Sequence, residues 1–231
     1  MQNLVLVPGL ASDSTVWRRT ILELNGEVNC LSADTLSDDS IPAMARRILA
    51  NTPQKFALAG VSMGGMAALE MMRMAPERVT RLALVDTSAR PDTFARKAYR
   101  HLANFVVAAF DYRRLSESNM KSLVHPSAAS DIRTELIEMS VHVGAKTYIR
   151  QNRAVLARTD LRPILRHIAI PTTVVVGAED RVTPVKLSQE IHELIPGSTL
   201  QIIDNCGHLL PIEKPEAMAK ILLNLLGMAT S

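Results

Sequence analysis

The chain has 231 residues, 47% of them hydrophobic and 21% charged, with a net charge of +3. That suits one α/β domain with a sizeable core and excludes an intrinsically disordered chain. Aromatic residues make up only 3%, too few for a platform that stacks bases or sugars, and no apolar run has the length needed to span a bilayer.

The opening MQNLVLVPGL lacks a basic stretch ahead of its apolar residues. We therefore expect no signal peptide, no membrane partner and a cytoplasmic location. Leu4 to Val7, ended by Pro8-Gly9, reads as a buried parallel strand. Ser14 to Leu24 reads as a helix with Val16, Trp17, Ile21 and Leu24 on one face. Val28 to Ala33 is a second strand, and Ile41 to Ala50 an amphipathic helix with Pro42 in its first turn. Phe56 to Ala59 is a third strand, which runs through Gly60-Val61-Ser62-Met63-Gly64-Gly65 into a helix from Met63 to Met74. Ala75-Pro76 stops that helix, because proline disfavours α geometry in the residue before it. Leu82 to Val85 is a fourth strand.

The periodicity then changes. From about Arg90 to Leu165 the pattern is helical only, broken at Asp111, His125-Pro126 and Gly144. Ser88 to Leu165 carries 13 lysines and arginines against 7 aspartates and glutamates, so the basic excess of +6 is concentrated there. Pro171 introduces a strongly β-branched fifth strand, Thr172 to Val176. Pro184 to Leu194 is a helix, Thr199 to Ile203 a sixth strand and Pro215 to Leu226 a final helix. Strands separated by helices predict a parallel sheet covered on both faces. The expected division is a core of residues 1–88 and 166–231, with a helical cap of residues 89–165 inserted between the fourth and fifth strands.

In open parallel sheets ligands gather beyond the carboxyl ends of the strands. The reactive side chains there are Ser62, Asp86, Glu179, Asp180 and His208. Ser62 is the centre of G-x-S-x-G, where a sharp strand-to-helix turn demands small residues two before and two after the serine. Such a turn exposes Oγ and aims the Met63 amide where an oxyanion would form. A serine needs a base, and the base an orienting acid. Of six histidines only His208 directly follows a strand; His101, His125, His142, His167 and His192 lie in helices, loops or helix ends. Asp180, in Gly177 to Pro184, is the expected acid. Asp86 is its rival, more readily explained as a cap on backbone amides. Cys30 and Cys206 have no CxxC or metal-ligand spacing and are expected to be free thiols. Neither a phosphate loop nor a dinucleotide fingerprint is present. No metal, cofactor or nucleic-acid partner is expected.

The order Ser62, Asp180, His208, together with VLVPG, GVSMGG, RVTRLALVDTS, IPTTVVVGAEDRVTP and NCGHLLPIEKPE, resembles the α/β-hydrolase superfamily over nearly the whole chain. The resemblance implies Ser62 as nucleophile, His208 as general base and then acid, and Asp180 as its orienting partner. It also implies an oxyanion hole from the backbone N–H groups of Leu10 and Met63. The chain has Pro8-Gly9 where many relatives have His-Gly, and it lacks their N-terminal antiparallel hairpin, so a six-stranded, all-parallel core is expected. That trimmed start resembles the plant hydroxynitrile lyase and methylesterase branch, whereas the cap resembles bacterial carboxylesterases and enol-lactonases. A serine at position 62 argues against the haloalkane dehalogenase and epoxide hydrolase branches, which use aspartate there. The expected substrate is a small or medium carboxylic ester, with an enol-lactone, an acyl thioester or a carbon–carbon bond as alternatives. A non-enzymatic ligand-binding role is a further one. The basic cap suits an anionic substrate or an acyl chain on an acidic carrier, and Phe105, Phe110, Met139 and Tyr148 are candidates for an apolar roof.

Overall fold

The structure, a computed structural model, describes residues 1–228. Six strands, β1 (Asn3–Val7), β2 (Asn29–Ser32), β3 (Phe56–Val61), β4 (Val79–Val85), β5 (Thr172–Gly177) and β6 (Thr199–Ile203), form one sheet in the order β2-β1-β3-β4-β5-β6. Every neighbouring pair is parallel. β3 and β5 are buried along their whole length, as strands covered on both faces must be. The edge strands β2 and β6 are partly exposed, and Cys30 and Cys206 remain free thiols near opposite edges of the sheet.

Eleven helices are described: α1 (Thr15–Glu23), α2 (Ile41–Ala50), α3 (Met63–Met74), α4 (Phe94–Ala109), α5 (Tyr112–Leu123), α6 (Ser130–Val143), α7 (Ala145–Leu156), α8 (Arg162–Leu165), α9 (Val185–Leu194), α10 (Leu210–Glu213) and α11 (Pro215–Leu226). Alternation along each strand divides the core in two. Leu4 and Leu6 of β1 join Trp17 of α1 and Leu222 of α11 on one face. Val5 and Val7 join Met44 of α2, Leu69 of α3 and Ile191 of α9 on the other.

Helices α4 to α8 lie between β4 and β5, and α4 to α7 make up the bulk of this insertion. Their breaks fall where the sequence places them, with the Asp111 side chain accepting from the Arg113 and Arg114 amides to start α5. The insertion is fused to the core, because Met120, Val124, Leu136 and Met139 share the apolar cluster of α1 and α11. β4 begins three residues earlier than the apolar run suggests, since Val79 pairs with Phe56 across partly exposed Thr80 and Arg81. A 3₁₀ turn at Pro76–Arg78, α8 and α10 go unforeseen, being too short to show a period.

The strand order turns the chain back at β1: β2 lies on one side of it and β3 on the other. The crevice beyond the carboxyl ends of β1 and β3 is therefore a topological switch point. Leu10 follows the first of these strands and Ser62 the second. No helix among the described residues is long and apolar enough to cross a membrane.

Candidate active site

Ser62 joins β3 to α3 with φ 55° and ψ −116°, a left-handed conformation rare for a residue with a Cβ. Such strain costs about 1–3 kcal/mol and persists only where surrounding packing enforces it. Here the glycines permit that packing. A Cβ on Gly60 would lie 2.4 Å from the Gly64 carbonyl oxygen, and one on Gly64 would lie 2.1 Å from that of Val7. The Ser62 amide donates to the Val85 carbonyl at 2.9 Å, and the Thr87 hydroxyl donates to the Ser62 carbonyl at 2.6 Å. Both ends of the turn are thus held by β4 and the loop after it.

The structure brings Ser62, His208 and Asp180 together. Ser62 Oγ lies 2.9 Å from His208 Nε2, and His208 Nδ1 lies 2.8 Å from Asp180 Oδ2. Asp180 is buried and accepts from the Val182 amide at 2.7 Å, the Thr183 amide at 2.9 Å and the Thr183 hydroxyl at 2.7 Å. Burial opposes its ionisation, but the adjacent imidazole and these donors outweigh it and hold the carboxyl below the usual range. Chemically, the chain of contacts lets a hydroxyl pass its proton to an imidazole whose tautomer a carboxylate sets.

Asp86 does not join this chain. Its Oδ1 accepts the Gly177 amide at 2.9 Å and its Oδ2 the Leu210 amide at 3.1 Å, tying β4 to the end of β5 and the start of α10. Complete burial, reinforced by the charge of Asp180, pushes its carboxyl well above the ordinary range. Glu179 is likewise structural, accepting the Cys206 amide at 3.0 Å.

Leu10, Ser62, Met63 and His208 all line one cavity of about 490 Å³. Neither the Leu10 nor the Met63 amide donates to an acceptor among the described residues. The neighbouring Ala11 amide is occupied, donating at 2.8 Å to Gln151 Oε1 from α7. Gln151 in turn donates to the Thr35 carbonyl at 3.1 Å. The insertion thereby fixes the loop that carries the Leu10 amide.

The roof differs from the sequence expectation. Of the four candidates only Tyr148 lines the cavity. Phe105 and Phe110 are 67% and 64% exposed, and Met139 is packed into the core beneath the insertion. The reason is the packing of α4, which turns Val107 inward and leaves Phe94, Leu102 and Phe105 facing solvent. The wall includes Tyr148 and Tyr112, whose rings are 5.8 Å apart, with the Tyr112 hydroxyl 3.0 Å from Ser140 Oγ. Burial pushes the Tyr148 phenol up to about 12, so it stays a neutral hydrogen-bonding group at working pH.

Two residues escaped sequence reasoning. One is Gln151. The other is Glu213, whose buried carboxylate accepts the amides of His125, Gly207 and Leu209 at 2.7, 3.1 and 3.1 Å. The hint in the sequence is a charged residue ending the apolar run LLPIE, which leaves a buried role open but names no partner.

A serine on a strained elbow at a switch point of a parallel α/β sheet thus lies within hydrogen-bonding reach of a histidine backed by aspartate. The chain belongs to the alpha/beta hydrolase fold family, whose sequence model matches residues 7–215. Among its relatives are pimeloyl-[acyl-carrier protein] methyl ester esterases. That of Aliivibrio salmonicida is 26% identical over 89% of this chain and 85% of its own length. That of Vibrio vulnificus is 25% identical over 97% and 94%. In three dimensions the chain is similar to a thermophilic esterase from Thermogutta terrifontis, solved with malate bound. The TM-score is 0.87 at 25% identity, covering 98% of this chain and 90% of the esterase. An enol-lactonase from Burkholderia xenovorans shares the fold, with a TM-score of 0.82 at 20% identity over 98% and 91%. The sequence relatives support an ester hydrolase of this fold.

Proposed function

We propose that the chain hydrolyses carboxylic esters of small or medium substrates through an acyl-enzyme on Ser62. The observation that carries this reading is the hydrogen-bonded run from Ser62 Oγ through His208 to Asp180 at the wall of the cavity. Ser62 Oγ attacks the ester carbonyl as His208 Nε2 takes its proton. The Leu10 and Met63 amides receive the developing oxyanion, an interaction of the kind worth about 2.7–4 kcal/mol per donor. His208 then protonates the departing alkoxide, and a water activated by the same imidazole releases the acid. Asp180 stays ionised throughout and stabilises the imidazolium. Residues 89–165 act as a cap over a core of residues 1–88 and 166–231.

Turnover of short p-nitrophenyl esters, abolished in Ser62→Ala, tests the reading against a non-enzymatic one. Labelling of Ser62 by a fluorophosphonate should vanish in His208→Ala; normal labelling of that variant would overturn the assignment of the base. An enol-lactone, a thioester or a carbon–carbon bond could be cleaved by the same groups, and a panel of these substrates ranks them. The net charge of the cap favours a substrate carrying negative charge. The ester on an acyl-carrier protein in the relatives' name and the malate in the Thermogutta structure are both in keeping with that.

A further inference from the structure

Asp92, between β4 and α4, has a fully buried side chain on which three guanidinium groups converge. Arg100 lies at 2.6 Å, Arg158 at 2.9 Å and Arg96 at 3.4 Å. One carboxylate among three guanidiniums leaves two positive charges unmatched. The positions of these side chains are set from behind. Arg100 also donates to Asn152 Oδ1 at 2.7 Å, and Arg96 donates to the Val182 carbonyl at 2.9 Å. Arg96 and Arg100 form part of the wall of the cavity that Ser62 and His208 line. Arg181, next to Asp180, forms another part and has no ion-pair partner among the described residues. Among the described residues no aspartate or glutamate lines that cavity. Unmatched cations held in a partly enclosed space attract a counter-charge more strongly than the same cations on an open surface.

Resting on the ester-hydrolase reading, we propose that the Arg96, Arg100 and Arg181 side of the cavity is an anion subsite. The substrate is then an ester bearing a carboxylate or phosphate group beyond the bond that is cleaved. Arg96 and Arg100 give part of the cap's charge a particular location, and Arg181 adds a cation from the core: Arg96 and Arg181 hold the remote carboxylate or phosphate while Arg100, backed by Asp92, supplies charge behind it. Guanidiniums suit such a task, since they bind carboxylate and phosphate oxygens in a defined geometry, and here Arg96 and Arg100 are held in place while Arg181 is free to meet the ligand.

The test compares kcat/KM for monomethyl glutarate with that for dimethyl glutarate at constant ionic strength, following proton release. The anionic ester should be favoured by about tenfold, the scale of one charge-assisted hydrogen bond. Arg181→Gln should collapse that preference mainly through KM, and Arg181→Lys should retain most of it. Arg181 is exposed and makes no ion pair among the described residues, so its variants keep the fold; Arg100→Gln gives a second measurement. Free glutarate and butyl phosphate, competing against the neutral ester, distinguish carboxylate from phosphate recognition, and Arg181→Gln should weaken whichever inhibits. A wild-type ratio at or below one, or a ratio unchanged in both Arg181→Gln and Arg100→Gln, overturns the subsite. So does the absence of competition by either anion. If neither glutarate ester nor a p-nitrophenyl ester is turned over, the hydrolase reading itself fails; if p-nitrophenyl esters are turned over while the monoester is no better a substrate than the diester, only the subsite fails.

Discussion

Removing the Glu213 carboxylate would strand three amides at once, two of them buried and that of His125 partly buried. Its Oε2 accepts from His125 at 2.7 Å and from Gly207 at 3.1 Å, and its Oε1 accepts from Leu209 at 3.1 Å. Gly207 and Leu209 flank His208, whereas His125 follows α5 of the insertion. The His208 amide adds a fourth link, donating to the Leu123 carbonyl at 2.8 Å. The two segments touch so closely that a Cβ on Gly207 would lie 2.7 Å from the His125 nitrogen. Each buried amide left without an acceptor costs about 1–3 kcal/mol, and water entering the vacated space lowers the sum, so Glu213→Ala should lose about 4 kcal/mol. Glu213→Gln keeps the shape and one acceptor oxygen but sets an NH₂ against an amide donor, for a loss of about 2 kcal/mol. Urea unfolding with an unchanged m-value reads these losses. Because the loop carries His208, kcat for a neutral ester should also fall by about tenfold or more in Glu213→Gln, on the scale that small misplacements of catalytic groups cost. If Glu213→Ala lost under about 1 kcal/mol with kcat intact, the carboxylate would not be what holds the loop.

Three further outcomes follow from the same geometry. Gly64→Ala would drive a methyl against the Val7 and Pro8 carbonyl oxygens, at 2.1 and 2.7 Å. It should destabilise by about 3 kcal/mol and displace the Leu10 loop; a thermal midpoint equal to wild type would show that the turn has slack. Gln151→Ala frees the Ala11 amide and, under the proposed mechanism in which the Leu10 amide meets only the oxyanion, should lower kcat by about tenfold with little change in KM. Loss of stability with kcat unchanged would remove Gln151 from the positioning of that loop. Asp180→Asn should reduce kcat by about 10²–10⁴, since an amide at Oδ2 favours the wrong histidine tautomer. The folded Asp180 carboxyl is depressed, so its contribution to stability is present above the unfolded value of about 3.9 and lost as pH falls through the folded one. Urea unfolding below pH 4 should therefore lose stability more steeply in wild type than in Asp180→Asn, and equal slopes would contradict the depressed carboxyl.

Much of this molecule is legible one segment at a time. The helices Ile41–Ala50, Met63–Met74 and Pro215–Leu226 and the strand Thr199–Ile203 are bounded as the sequence predicts. Their periods, caps and prolines act within a few residues of chain. The elbow is local too, since Gly60 and Gly64 are four residues apart and collide only with the turn they permit and with β1. Ser62, Asp180 and His208 can be nominated because parallel strands deliver their carboxyl ends to one side. The sequence by itself thus determined the parallel sheet and the turn, and it nominated the candidate reactive residues.

Tertiary structure decided what each face meets. A helical period marks a stripe on α4 but does not say that Phe105 turns to water and Arg100 to the cavity; the packing of Val107 and the Asp92 cluster do. Asp86 and Asp180 both follow strands, yet Asp86 is spent on two amides from distant segments and Asp180 on the imidazole. Glu213 joins amides from positions 125, 207 and 209. Contacts that close loops of this length leave no periodic trace, because their partners are chosen by the fold and not by neighbours in the chain.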